Sequence, residues 1–229
     1  MCALLAPACP ASRSRTPRPA EPIARARQPS NSYLRAHGCT KVTAAAADAI
    51  AALGRPVLEL GAGAGHWAAA LATRGVRVTA LDDGSAVPLG GRDGASDVRA
   101  RAAALAIAGA TFEVKGGDAV EAARAAPRDL VLLLVYPPPG DMAARAVGAF
   151  RGRTLVYVGE ARGGANGDGA FFDALEADFR VVAPSPLELE PFVGGAERLY
   201  VLERRAAATR LVRALGRAIR SPFRRATAN

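Results

Sequence analysis

The sequence predicts an α/β fold: a doubly wound, mostly parallel sheet of about seven strands, with an antiparallel hairpin at one edge. Three observations carry this. Short apolar or β-branched runs alternate with Ala-rich helical stretches between about 43 and 203, the pattern of repeated strand–helix–strand units. The most apolar run, DLVLLLV at 129–135, is unbroken rather than alternating, as a strand covered on both faces should be. The last two strand-like runs, at 180–183 and 199–202, have no helix between them, which points to the edge hairpin.

Taken in order, prolines at 7, 10, 17, 19, 22 and 29 forbid regular structure through the first 30 residues. Residues 43–53 are Ala-rich and helical in propensity, ended by Gly54. A short apolar strand at 57–60 leads into a glycine loop and a helix at about 66–73, with Gly75 as its stop. VRVTAL at 76–81 is a β-branched strand ending at Asp82 and Asp83. A second helix is expected at 98–108, a third strand at 111–114 and a helix at 119–126. The strand at 129–135 halts at Tyr136-Pro137-Pro138-Pro139. A helix at 142–150, a strand at 154–158 and a helix at about 170–179 complete the alternation.

Charge divides the chain into three parts. Residues 1–41 carry seven Arg/Lys against one Glu, and 204–229 carry eight Arg and no acid; the middle is net −5. The basicity therefore belongs to the ends, whereas a nucleic-acid footprint would more naturally be a basic face on the folded domain. The expected organisation is a leader at 1–40, a domain at 41–203 and a tail at 204–229. The Arg-, Ser- and Pro-rich leader has the flavour of a chloroplast or mitochondrial transit peptide; the alternative is a disordered, biased leader on a cytoplasmic protein. In the tail, Leu211, Leu215 and Ile219 recur every four residues among arginines. That pattern suits an amphipathic helix on an anionic membrane or nucleic acid; the favoured reading is a terminal helix or tail without such a partner. Cys2, Cys9 and Cys39 form neither a disulfide framework nor a metal-ligand spacing, so an intracellular, reducing compartment and no metal are expected.

In an open parallel sheet, ligands bind beyond the carboxyl ends of the strands, where strand order reverses. The residues just past each strand are therefore the test. Gly61, Gly63, Gly65 and His66 come after the first; Asp82 and Asp83 after the second; Asp118 after the third; Tyr136 and Pro137 after the fourth; Glu160 after the fifth. A phosphate loop would need a Lys-Ser/Thr pair after its glycines, and none is present. A dinucleotide loop would have glycine where His66 stands, which counts against a nicotinamide-dependent oxidoreductase. What remains is a small carboxylate at the helix N-terminus, with a nucleoside held by Asp82, 21 residues past Gly61.

VLELGAGAG at 57–65, with the acidic strand end at Asp82, resembles the first two motifs of the class I S-adenosylmethionine-dependent methyltransferases. The resemblance spans about 55–203. It implies a Rossmann-like fold and S-adenosylmethionine as cofactor. It also implies Glu59 near the methionine amino group, Gly61, Ala62, Gly63 and Gly65 along the methionine moiety, and Asp82, with Asp83 beside it, at the ribose. Asp118 is similar to the acidic residue that the family places beside adenine; otherwise it caps a helix. His66 would touch cofactor or acceptor.

The fourth-strand motif departs from the [Asp/Asn]-Pro-Pro-aromatic of amino-group methyltransferases. Tyr136-Pro137-Pro138 looks more like a branch with Trp-Pro-Pro here, Tyr-Val-Gly-Glu after the fifth strand and a glycine loop before Asp-x-x-Phe-Phe; 157–160 and 168–172 fit that picture. Tyr136, Pro137 and Glu160 are the expected transfer-site residues, Glu160 as general base or acceptor-orienting group. The expected reaction is in-line methyl transfer to an unidentified small-molecule or protein acceptor. The rival expectation is a non-catalytic, cofactor-binding scaffold of the same fold.

Overall fold

The structure is a computed structural model and describes residues 31–84, 112–182, 185–191 and 195–206. Its strands are β1 (Val57–Leu60), β2 (Val78–Asp82), β3 (Val114–Gly116), β4 (Val131–Val135), β5 (Thr154–Gly159), β6 (Phe179–Val181), β7 (Leu187–Glu188) and β8 (Arg198–Arg204). Its helices are α1 (Asn31–His37), α2 (Ala44–Ala51), α3 (His66–Ala72), α4 (Ala119–Ala125), α5 (Met142–Ala149) and α6 (Gly169–Asp178).

One sheet holds all eight strands, in the order β3-β2-β1-β4-β5-β8-β6, with β7 paired to β8. The first five run parallel, and β8 runs antiparallel to β5, β6 and β7. This is the expected doubly wound, Rossmann-like sheet with an antiparallel edge. The chain order reverses between β1 and β4, and there the crevice of such a sheet opens.

The unbroken apolar runs have a direct cause. Leu58, Leu60, Leu132, Leu134 and Leu155 pack on the α4–α6 face, while Val57, Val131, Leu133, Val156 and Val158 pack with Ile50, Trp67 and Leu71 on the other. Every residue of β1 and β5 is buried, so neither strand can alternate in polarity. Truncating a fully buried member such as Leu133 to Ala would cost about 2–5 kcal/mol, enough to threaten the fold. Helix starts are set by short polar side chains: Thr43, Asp118 and Asp168 accept from the main-chain N–H of Ala46, Glu121 and Phe171 at 3.1, 2.8 and 2.8 Å. Each cap is worth ~1 kcal/mol.

Two expectations need revision, and one is extended. The third strand runs over Val114–Gly116, not 111–114, because its pairing is set by register with Ala80–Asp82. β7 adds an eighth, two-residue strand. Residues 31–40, assigned to a leader, include α1, and Thr40 is fully buried. The carbonyl of Thr40 accepts from Trp67 Nε1 at 3.0 Å, so this stretch is anchored to α3. The helix expected at 98–108, residues 1–30 and the tail beyond 206 lie outside the described residues. Among the described residues no helix is long and apolar enough to cross a membrane.

Candidate functional site

Register builds the rim. Leu60 is level with Leu81 and with Leu134, so Gly61, Asp82 and Val135 are the next residues out. Val135 is level with Val158, and Gly159 with Arg198. One step beyond that last pair stand Glu160 and Glu197, facing each other across β5 and β8. Read across the sheet, the rim therefore runs Asp82, the glycine corner, Tyr136, Glu160, Glu197.

The corner after β1 turns through three left-handed glycines, Gly61, Gly63 and Gly65, at φ 72°, 55° and 78°. They differ in what surrounds them. A Cβ on Gly63 would meet nothing within 4 Å, so that side of the loop is open. A Cβ on Gly65 would lie 2.9 Å from the Cβ of Phe112, so Gly65 lets α3 approach β3. Ala62 is buried with Ala68 and Ala80 and faces the core.

The corner's N–H groups are mostly spent. Gly61 and Ala62 both donate to the Leu81 carbonyl at 2.9 and 3.0 Å, and Gly65 donates to Ala62 at 2.9 Å. Gly63 donates to Asp82 Oδ2 at 2.8 Å, while Gly84 donates to Oδ1 at 2.5 Å. The small carboxylate expected at the helix N-terminus cannot therefore draw on the amides of Gly61, Ala62, Gly63 and Gly65, which are already bonded. The bonds instead lock the corner to the end of β2.

Glu59, on β1, is 1% exposed. Burial, reinforced by the charge of Asp82, pushes its carboxyl up to about 8, against the lowering effect of a hydrogen bond from the Ala68 amide. Its Oε2 has no hydrogen-bond partner among the described residues. The ring of His66 lies against Gly38, where a Cβ would sit 3.3 Å from Nδ1. Asp83 is exposed beside Asp82, and Asp118 is exposed and caps α4.

Tyr136 ends β4 with φ +49°, a left-handed conformation unusual outside glycine. Its amide donates to the Val158 carbonyl at 2.7 Å. Burial raises its phenol pKa, with the charges of Glu197 and Glu160 adding to the effect. Pro137 is buried, and its carbonyl accepts from Gly167 at 3.0 Å, which docks the loop after β5. Glu160 is engaged at both oxygens, accepting from Ala165 at 2.7 Å and from Ala196 at 3.3 Å. It is thus a brace between two loops.

Sequence reasoning missed Glu197. It is 1% exposed, and neither carboxylate oxygen has a partner from another described residue. Burial raises its pKa, helped by Glu160. The signal was available: β8 is antiparallel, so the residue before it, not the one after it, stands at this rim. Cys39 also went unassigned. Burial raises its thiol pKa, with the charges of Asp82 and then Glu197 adding to the effect. A separate groove of about 540 Å³ runs between Phe172, Leu175, Tyr200 and Leu202 and shares no residue with the glycine corner.

No protein-family model and no curated protein matches the chain. Several solved structures are similar to it. Mitomycin 7-O-methyltransferase MmcR is 20% identical, with a TM-score of 0.43, over 70% of this chain and 53% of its own; the chain thus spans about half that protein's length. A TehB-like SAM-dependent methyltransferase from Corynebacterium glutamicum is 18% identical over 70% of this chain and 87% of its own, with a TM-score of 0.44. The Burkholderia thailandensis 1,6-didemethyltoxoflavin-N1-methyltransferase, solved with S-adenosylhomocysteine, is 20% identical over 71% and 77%, with a TM-score of 0.42.

Proposed function

We propose that the chain is an S-adenosylmethionine-dependent methyltransferase whose cofactor lies over β1 and β2 and whose acceptor lies over β4, β5 and β8. The observation that carries this reading is the bond from Gly63 to Asp82. It puts an open glycine corner and a carboxylate on one rim, at the point where strand order reverses.

The residues present fit the cofactor. Asp82 accepts one amide at each oxygen and keeps lone pairs for the two ribose hydroxyls. The unpartnered Oε2 of Glu59 needs a donor, and an ammonium group would supply one. The open side of Gly63 admits a chain passing close to the backbone. When bound, the cofactor supplies a methyl group already activated on a sulfonium. The protein's part is alignment, which can lower the barrier by ~7–11 kcal/mol when acceptor and methyl are held in line. In this reading Tyr136 and Pro137, fixed to β5 and its loop, wall that line on the acceptor side.

Mass spectrometry of the native protein tests this: a co-purifying S-adenosyl nucleoside is expected. Its absence, together with quenching of NADH fluorescence on mixing, would instead favour a nicotinamide enzyme. One observation favours a second reading, a non-catalytic cofactor-binding protein: Glu160, the expected base, is held by a main-chain amide at each oxygen as a brace between two loops. Cofactor binding with no methyl transfer to any broad acceptor panel would support that reading.

A further inference from the structure

We infer that the acceptor half of the rim receives a cationic nitrogen, so that the methyl acceptor is an amine held by the Glu197 carboxylate beside Tyr136. The inference rests on the methyl-transfer reading and names the substrate class of the same site.

Glu197 differs from the other rim acids. Asp82 and Glu160 each accept two main-chain hydrogen bonds, whereas Glu197 is buried with both oxygens unpartnered by any other described residue. A buried polar group left unsatisfied is costly, and a buried carboxylate without a counter-ion more so. Among the described residues, the neighbouring cations are paired with other acids. Arg198 pairs with Glu188 at 2.9 Å, and Lys41 pairs with Glu190 at 2.5 Å. Tyr136, the next residue out from the Val135–Val158 pair, stands on the same rim, and the charge of Glu197 adds to the burial that raises its phenol pKa. Carboxylate and aromatic faces together are what an alkylammonium prefers. A hydroxyl would bring one donor and no charge, and a carboxylate acceptor would be repelled.

The chemistry closes on itself. A protonated amine has no lone pair, so it must first give up a proton. Glu197 can take that proton, because its burial raises its affinity for one. The freed lone pair then forms the N–C bond while the C–S electron pair stays with sulfur, which becomes a neutral thioether. The product is a methylated ammonium, and the proton on Glu197 passes to solvent when the product leaves.

The test uses the full chain and three probes of one shape: phenethylamine, 2-phenylethanol and phenylacetate, titrated near neutral pH with and without saturating S-adenosylhomocysteine. The amine is expected to bind at least about tenfold tighter than the alcohol, and phenylacetate weakest. Glu197→Gln should remove most of the amine's advantage and leave the alcohol unchanged. Equal affinities for amine and alcohol, an unaltered amine preference in the variant, or no binding of any probe at roughly 10 mM would overturn the inference. The probe comparison on the unmodified chain stands even if the variant misfolds. Failure of S-adenosylhomocysteine to bind would instead overturn the methyl-transfer reading, with the amine preference still readable on the protein alone.

Discussion

The main-chain N–H of Gly63 lies 2.8 Å from Oδ2 of Asp82, so the corner after β1 and the end of β2 form one unit. Asp82→Ala strands this amide and that of Gly84. The expected cost is about 1–3 kcal/mol of stability, read by urea unfolding, because each orphaned donor loses its partner. Asp82→Asn keeps the shape and an acceptor. Its stability loss should be smaller, while S-adenosylhomocysteine affinity falls by about tenfold or more.

Gly63 and Gly65 should separate binding from folding. At Gly63 a methyl group meets open space, so Gly63→Ala costs only the left-handed strain of about 1–2 kcal/mol. That methyl group occupies the open side of the loop, and cofactor affinity should drop. Gly65→Ala adds a clash with Phe112 at 2.9 Å to the same strain, and overpacking of this kind costs a further ~1–3 kcal/mol. Thermal midpoints and binding titrations on the two variants should thus rank in opposite orders.

Much of this was legible in the chain. The glycine corner and the double-faced strands follow from local spacing and from periodicity, which the sequence carries explicitly. Asp118 was read as either an adenine-neighbouring acid or a cap, and its side chain caps α4. What escaped depends on register between distant segments. Glu197 comes after Gly195-Ala196 and looks like a solvated loop acid. It becomes a rim residue only because Arg198 pairs with Gly159. Thr40 and α1 escaped because the prolines and arginines of the preceding residues suggested disorder, while the anchor, Trp67, lies 27 positions on.

That anchor can be tested. Trp67→Phe preserves the packing under the corner but leaves the Thr40 carbonyl without its donor. A loss of about 1–3 kcal/mol is expected, with faster protease cleavage within 31–41. Unchanged cleavage would mean that the bond does not hold the segment.

Glu59 should shape the pH dependence of stability. Its pKa is raised to about 8 in the folded chain from an ordinary value of 4.5. Between those pH values the folded state keeps a proton that the unfolded state releases. Stability is therefore highest near and below pH 4.5 as far as this group is concerned, and falls as pH rises toward 8. Glu59→Gln should flatten that slope, by at most roughly 5 kcal/mol across the window. A parallel pH profile for the two proteins would contradict the assignment. Cofactor binding should also release a proton from Glu59 near pH 7, seen as a buffer-dependent heat.

The most direct measurement is calorimetric titration of the full chain with S-adenosylhomocysteine, run beside Asp82→Ala. The account expects saturable one-to-one binding in the native chain and a loss of about tenfold or more in the variant. No binding to the native chain, or equal binding by a folded Asp82→Ala protein, would contradict it.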